Sequence, residues 1–145
     1  MSRVVFDTTI LVSAFLKAVP GGAAFDLLSQ ASAGVFDLYL SDDILEGTAR
    51  ALLTSTRIRA RYAYPDTAVT EYCRNLALLG TVVSGIPDVK IVRDPADDMI
   101  IGCAIAAKAA YLVTRDDDLL SLGNHRACEI VTPEQFLGAL RDKRS

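Results

Sequence analysis

The chain has 145 residues, 51% of them hydrophobic and 23% charged, with a formal net charge of −3 at pH 7. That length and apolar content predict a single domain over residues 1–145 with a sizeable core. No run approaches the roughly 18 apolar residues of a membrane span, and Ser2-Arg3 leads straight into Val4-Val5-Phe6 without a signal-peptide pattern, so a cytoplasmic protein with no membrane partner is expected. Cys73, Cys103 and Cys128 are odd in number and widely spaced, which reads as buried thiols in a reducing compartment rather than a zinc site. His125, the only histidine, lies in the polar run Gly123-Asn124-His125-Arg126 and is expected to be solvated.

Taken in chain order, Val4-Val5-Phe6 predicts a strand, Asp7-Thr8-Thr9 a polar turn, and Ile10 to Leu16 a helix. Pro20-Gly21-Gly22 breaks the chain, and Ala23 to Ala33 carries Phe25, Leu27, Leu28 and Ala31 at helical spacing until Gly34. Val35 to Leu40 predicts a second strand. Ser41 is a good N-cap for the next helix, with Asp42 and Asp43 in its first turn. Between Arg50 and Tyr64 lie Arg57, Arg59, Arg61, Tyr62 and Tyr64 with no acid; this stretch reads equally as a track for a phosphate backbone and as a solvated helix end with a loop.

Pro65 to Leu79 predicts a further helix, and Thr81-Val82-Val83 a short strand. Asp94-Pro95 signals another helix start, with Asp as N-cap and Pro at the first helical position. Tyr111-Leu112-Val113 and Glu129-Ile130-Val131 complete the strands, and Thr132-Pro133-Glu134-Gln135 opens a terminal helix through a capping box. Strands alternating with helices predict an α/β fold with a mainly parallel sheet.

In such sheets ligands bind beyond the carboxyl ends of the strands, and the acids fall there. Asp7 ends the first strand, Glu46 lies one turn into the helix after the second, Asp97 and Asp98 open a later helix, and Asp116, Asp117 and Asp118 follow Val113-Thr114. Any one of them is readily explained as a cap or dipole partner; the set at the sheet ends is not. Converging carboxylates need protons or cations, and hard oxygen ligands without histidine or paired cysteine select Mg²⁺ or Mn²⁺. Phosphodiester hydrolysis is the natural use of such a centre.

Four segments and a tail run in order along the chain: Val4-Val5-Phe6-Asp7-Thr8 with Ile10 to Ala14, Ser41 to Glu46, Arg93-Asp94-Pro95-Ala96-Asp97-Asp98 leading to Ala104, Val113 to Leu120, and Ile130 to Leu137. Together they resemble the PIN-domain family, and especially the single-domain VapC-like toxins of bacterial toxin–antitoxin pairs. The resemblance implies a three-layer α/β/α sandwich, Mg²⁺ or Mn²⁺ dependence, single-stranded RNA as substrate, homodimerisation and inhibition by a small antitoxin. It also implies that Asp7, Asp97 and Asp116 are metal-binding acids, with Asp118 an outer member. Asp97 is preferred to its neighbour Asp98 because its distance to Ala104 fits the family, and Thr114 matches a small hydroxyl residue that orients a carboxylate or water. Thr8, Thr9 and Asp98 are supporting residues, and Arg115 joins Arg57, Arg59 and Arg61 as candidates to meet RNA. Arg115 or Lys108 would offset charge on the leaving side.

Two departures from the family stand out. Thr9 replaces the usual Asn, and the acid that normally falls six residues after the serine is here Gly47, with Glu46 one residue early and about 100° around the helix. Either Glu46 still turns inward or the site has one acid fewer. A haloacid-dehalogenase-type phosphatase would need an acid at position 9, which is Thr9. A PIN-like module with a weakened metal site that acts by binding RNA or an antitoxin, and a stand-alone RNA-processing nuclease, remain as alternatives.

Overall fold

A computed structural model describes residues 1–18 and 21–144. Pro20, read above as part of a chain break, lies outside the described residues; Gly21 and Gly22 do lie between two helices. The first half runs β1 (Arg3–Phe6), α1 (Thr8–Leu16), α2 (Ala23–Ser32), β2 (Asp37–Leu40), α3 (Asp42–Thr54), α4 (Thr56–Arg61) and α5 (Asp66–Leu79). The second runs β3 (Thr81–Val82), α6 (Pro95–Ala107), β4 (Tyr111–Val113), α7 (Asp117–Leu120), β5 (Asn124–His125), β6 (Cys128–Val131) and α8 (Pro133–Arg144).

The strands form one sheet in the order β3-β2-β1-β4-β6-β5, parallel throughout except for the final β5–β6 hairpin. β1 is central because Val4, Val5 and Phe6 are all fully buried, the continuous apolar run that a strand covered on both faces requires. Alternation sorts its neighbours. Phe6 meets Phe36, which packs on Phe136 of α8 together with Tyr111, so α8 covers one face. α6 packs against β1, β2 and β4 on the other, giving the three-layer α/β/α sandwich.

The capping signals operate as the residue types dictate. Ser41 accepts from the Ile44 N–H, Asp94 from Ala96, and Thr132 and Gln135 exchange side-chain-to-backbone bonds at the start of α8. Residues 83–94 cross the α6 layer without regular structure. They lie close against it because position 102 is glycine: a Cβ there would stand 2.8 Å from Ile86 Cγ2 and 2.9 Å from the Pro87 carbonyl oxygen.

Three short elements escape the sequence reading. α4 forms where a loop was one reading, capped by Ser55. α7 is a single turn begun by Asp116. β5 takes Asn124 and His125 out of the expected solvated loop and pairs them with β6, leaving His125 part-buried. Cys103 and Cys128 are buried and Cys73 only half-buried, all three free thiols. No described helix is long and apolar enough to cross a membrane.

Candidate metal centre

The acids collect at the carboxyl ends of β1 and β4, where the N-terminus of α6 arrives. The Asp7 N–H donates to the Val113 carbonyl and Thr114 N–H to that of Val131, so the parallel ladder continues one step beyond the strands and fixes Asp7 beside Thr114. The fully buried Thr114 then joins two acids. Its hydroxyl donates to Asp7 Oδ2 at 2.6 Å and accepts from the Asp116 N–H at 3.0 Å. Asp7 itself is buried, which raises its carboxyl above the usual range; the Thr114 bond opposes that rise and the Asp116 charge adds to it.

Asp97, Asp116 and Asp118 each bring a carboxylate oxygen within 4.8 Å of the other two. Like charges at that spacing repel by about 3 kcal/mol per pair at an effective dielectric near 20. Asp97 registers the strain: burial first, then the charges of Asp116, Asp7, Asp94 and Asp118, push its carboxyl up to about 6. Asp116 shows that the capping and ligand readings do not compete. Its Oδ1 accepts from the N–H groups of Asp118 and Leu119 to start α7, while the residue still belongs to the cluster. The donor set, three carboxylates with a fourth beside them and no sulfur or imidazole, fits a hard divalent ion.

The adjacent acids of α6 divide their work. Asp98 Oδ1 accepts from the N–H groups of Ile91 and Val92, each at 2.9 Å, and so ties down the segment that crosses the helix. One residue on from Asp97, about 100° around the helix, it is turned away from the cluster by that task. Glu46 is exposed and absent from the charges that act on Asp97 or Asp7. Gly47 faces the site instead: a Cβ there would lie 3.4 Å from Thr8 Oγ1, beside Asp7. Thr8 is half-buried and Thr9 exposed.

The cations fall into two groups. Arg57 and Arg61 are exposed on α4, Arg61 lying over the Tyr62 ring. Arg59 is committed within its own segment, donating to the carbonyls of Leu52 and Tyr64, pairing with Asp66 and covering the Tyr64 ring. Arg115 makes a bidentate pair with Glu134 at 3.0 and 2.7 Å, which holds the Glu134 carboxyl below its usual range. Lys108 caps the far end of α6, eleven residues beyond Asp97 or about 16 Å along the axis, so it cannot serve the leaving group as the sequence reading suggested. Two neighbours of the cluster were not singled out from the sequence. Asp94 adds its charge to Asp97, and Arg93 reaches Asp118 at 3.6 Å. The Arg93-Asp94-Pro95 run was the available signal, absorbed there as a helix start.

The sequence profile described as the PIN domain matches residues 3–118. The chain belongs to the PIN domain family. Its fold is similar to a chain in the crystal structure of VapBC2 from Rickettsia felis bound to a DNA fragment from their promoter, with a TM-score of 0.60 and 15% identity over 88% of this chain and 98% of that one. No curated protein sequence matches it significantly. Within this PIN domain the profile spans Asp7, Asp97, Asp116 and Asp118, and it ends before β6 and α8, which complete the sheet and cover one face.

Proposed function

We propose that this PIN domain is a divalent-metal-dependent endoribonuclease acting on single-stranded RNA, and the toxin of a type II toxin–antitoxin pair. The observation that carries the reading is the convergence of Asp97, Asp116 and Asp118 within 4.8 Å beside the buried Asp7. Asp97, Asp116 and Asp118 would hold Mg²⁺ or Mn²⁺, with Asp7 adjoining. Such an ion supplies Lewis-acid help, binding a phosphate oxygen and lowering the pKa of a water. The chain's own residues set the stage for it. Thr114 fixes Asp7 Oδ2 and the Asp116 backbone in one geometry, and the Asp116 cap on α7 places Asp118. Arg57 and Arg61 are exposed on α4, where they would meet the phosphates of a strand, and Arg115 would do so on leaving Glu134.

The toxin part rests on family resemblance and on the fold shared with a VapBC2 chain; a small antitoxin partner, homodimerisation, a cytoplasmic location and a single domain over residues 1–145 belong to the same proposal. The purified protein is expected to cut single-stranded RNA with Mn²⁺ and to stop with chelator. Asp7→Asn should abolish cutting while the chain stays folded; undiminished cutting by that variant would sink the assignment.

A second reading has a specific observation behind it. Gly47 stands where the family usually has an acid, and Glu46 beside it is exposed and adds no charge to Asp97. In that case the protein acts by binding RNA or an antitoxin rather than by cutting. Calorimetry separates the two: no Mn²⁺ binding together with no cleavage, but retained RNA affinity, would replace the nuclease reading.

A further inference from the structure

At the opposite end of the sheet from the acids, a cavity of about 390 Å³ opens between the C-terminal half of α6 and strands β4, β6 and β5. Its body is aliphatic, with Ile101, Ile105, Leu112 and Ile130 among its walls. The polar residues that line it are Lys108, His125 and Arg126, and no acid among the described residues does so. That volume lies in the range of small-molecule sites, and the combination of an apolar body with a few convergent polar groups is the usual make-up of one.

The two cations stand where the backbone would favour glycine. Lys108 is the C-cap of α6 at φ 53°, and Arg126 begins the β5–β6 turn at φ 57°. They are the two non-glycine residues with positive φ among those described, and both line this cavity. Helix C-termini and tight hairpin turns commonly use glycine there, because an L side chain in the left-handed region is sterically penalised. Neither cation is in an ion pair with an acid among the described residues. The third polar residue, His125, lines the cavity as well, with its Nε2 buried and without a hydrogen-bond partner.

We propose that this cavity binds a small amphiphilic monocarboxylate, its hydrocarbon body along α6 and its carboxylate between Lys108 and Arg126, beside His125. The charge balance of the lining selects an anion, and the aliphatic walls select one with a hydrocarbon body over inorganic phosphate or a nucleotide. The site is independent of the acid cluster, so it stands or falls apart from the nuclease reading.

Sodium octanoate is a suitable probe, titrated into the full chain in chelator. His125 is the only histidine, so in an untagged chain its imidazole NMR signals report on the cavity without assignment ambiguity. A saturable shift of those signals and a melting temperature that rises with octanoate concentration are expected. Octanamide, which lacks the charge, and acetate, which lacks the body, should bind at least tenfold more weakly. The double variant Lys108→Gly/Arg126→Gly should weaken octanoate binding at least tenfold yet melt no lower than the parent without ligand, since glycine suits both turns. The proposal is overturned by no saturable His125 shift at about 10 mM octanoate, by octanamide binding as well as octanoate, or by undiminished binding to the double variant. The octanamide comparison needs no variant, so a misfolded double variant would not protect the idea.

Discussion

Asp97→Asn should stabilise the metal-free protein. In the fold the Asp97 carboxyl is pushed from 3.8 up to about 6, by burial and then by the neighbouring acids. An acid whose pKa is raised on folding penalises the fold when ionised, so stability is lost as pH rises from 3.8 to about 6 and the full penalty stands above that. A displacement of that size corresponds to about 3 kcal/mol. Because Asp116 is half-buried and Asp118 exposed, solvent screening reduces it to about 1–2 kcal/mol. For a chain of this length that is a rise in melting temperature of about 3–8 °C.

The assay is thermal melting by circular dichroism, in chelator, at pH 8 and again at pH 5. The variant should melt higher at pH 8, and the gap should narrow at pH 5, where the parent protonates Asp97. With Mn²⁺ the order should reverse, because the parent gains binding energy that the variant lacks. A variant that melts at or below the parent at pH 8 in chelator, or a gap unchanged at pH 5, would refute the claim that burial and the neighbouring acids penalise the ionised Asp97.

Asp98→Ala should cost about 2–3 kcal/mol by releasing the N–H groups of Ile91 and Val92, with little effect on Mn²⁺ affinity; chemical denaturation and calorimetry measure the two separately. Thr114→Val keeps the shape but removes the bond that holds the Asp7 pKa down, so the acidic limb of the cleavage profile should move to higher pH. An unmoved limb would mean that Thr114 only fills space. Gly47→Glu should tighten Mn²⁺ several-fold, since a Cβ at that position meets Thr8 at ordinary contact distance, whereas Glu46→Gln should change neither affinity nor cutting.

Most of the sheet was legible because its short apolar runs and the capping residues around them are local signals. Val4-Val5-Phe6 reads as a buried strand by itself, and Ser41 and Asp94 mark helix starts within four residues. The elements that escaped are those whose reason lies elsewhere in the chain. β5 exists because Cys128 and Glu129 pair with it, and His125 therefore leaves solvent although its neighbours are polar. In the site, sequence spacing favoured Asp97 over Asp98, but why Asp98 turns away is a contact with the Ile91 and Val92 backbone that no spacing rule contains. Arg59 is similar: a basic cluster gives no sign that one member is spent on Leu52, Tyr64 and Asp66.

The segment 83–94 is the longest stretch without helix or strand between two described elements, yet it is fastened twice to α6, by the Asp98 carboxylate and by the close fit over Gly102. A protease must draw a stretch of backbone out into its own cleft before it can cut, and here that requires parting both fastenings. Although it has no helix or strand of its own, this strap should survive limited digestion, and a nick appearing there in a variant would report that the first turn of α6 has lost its hold.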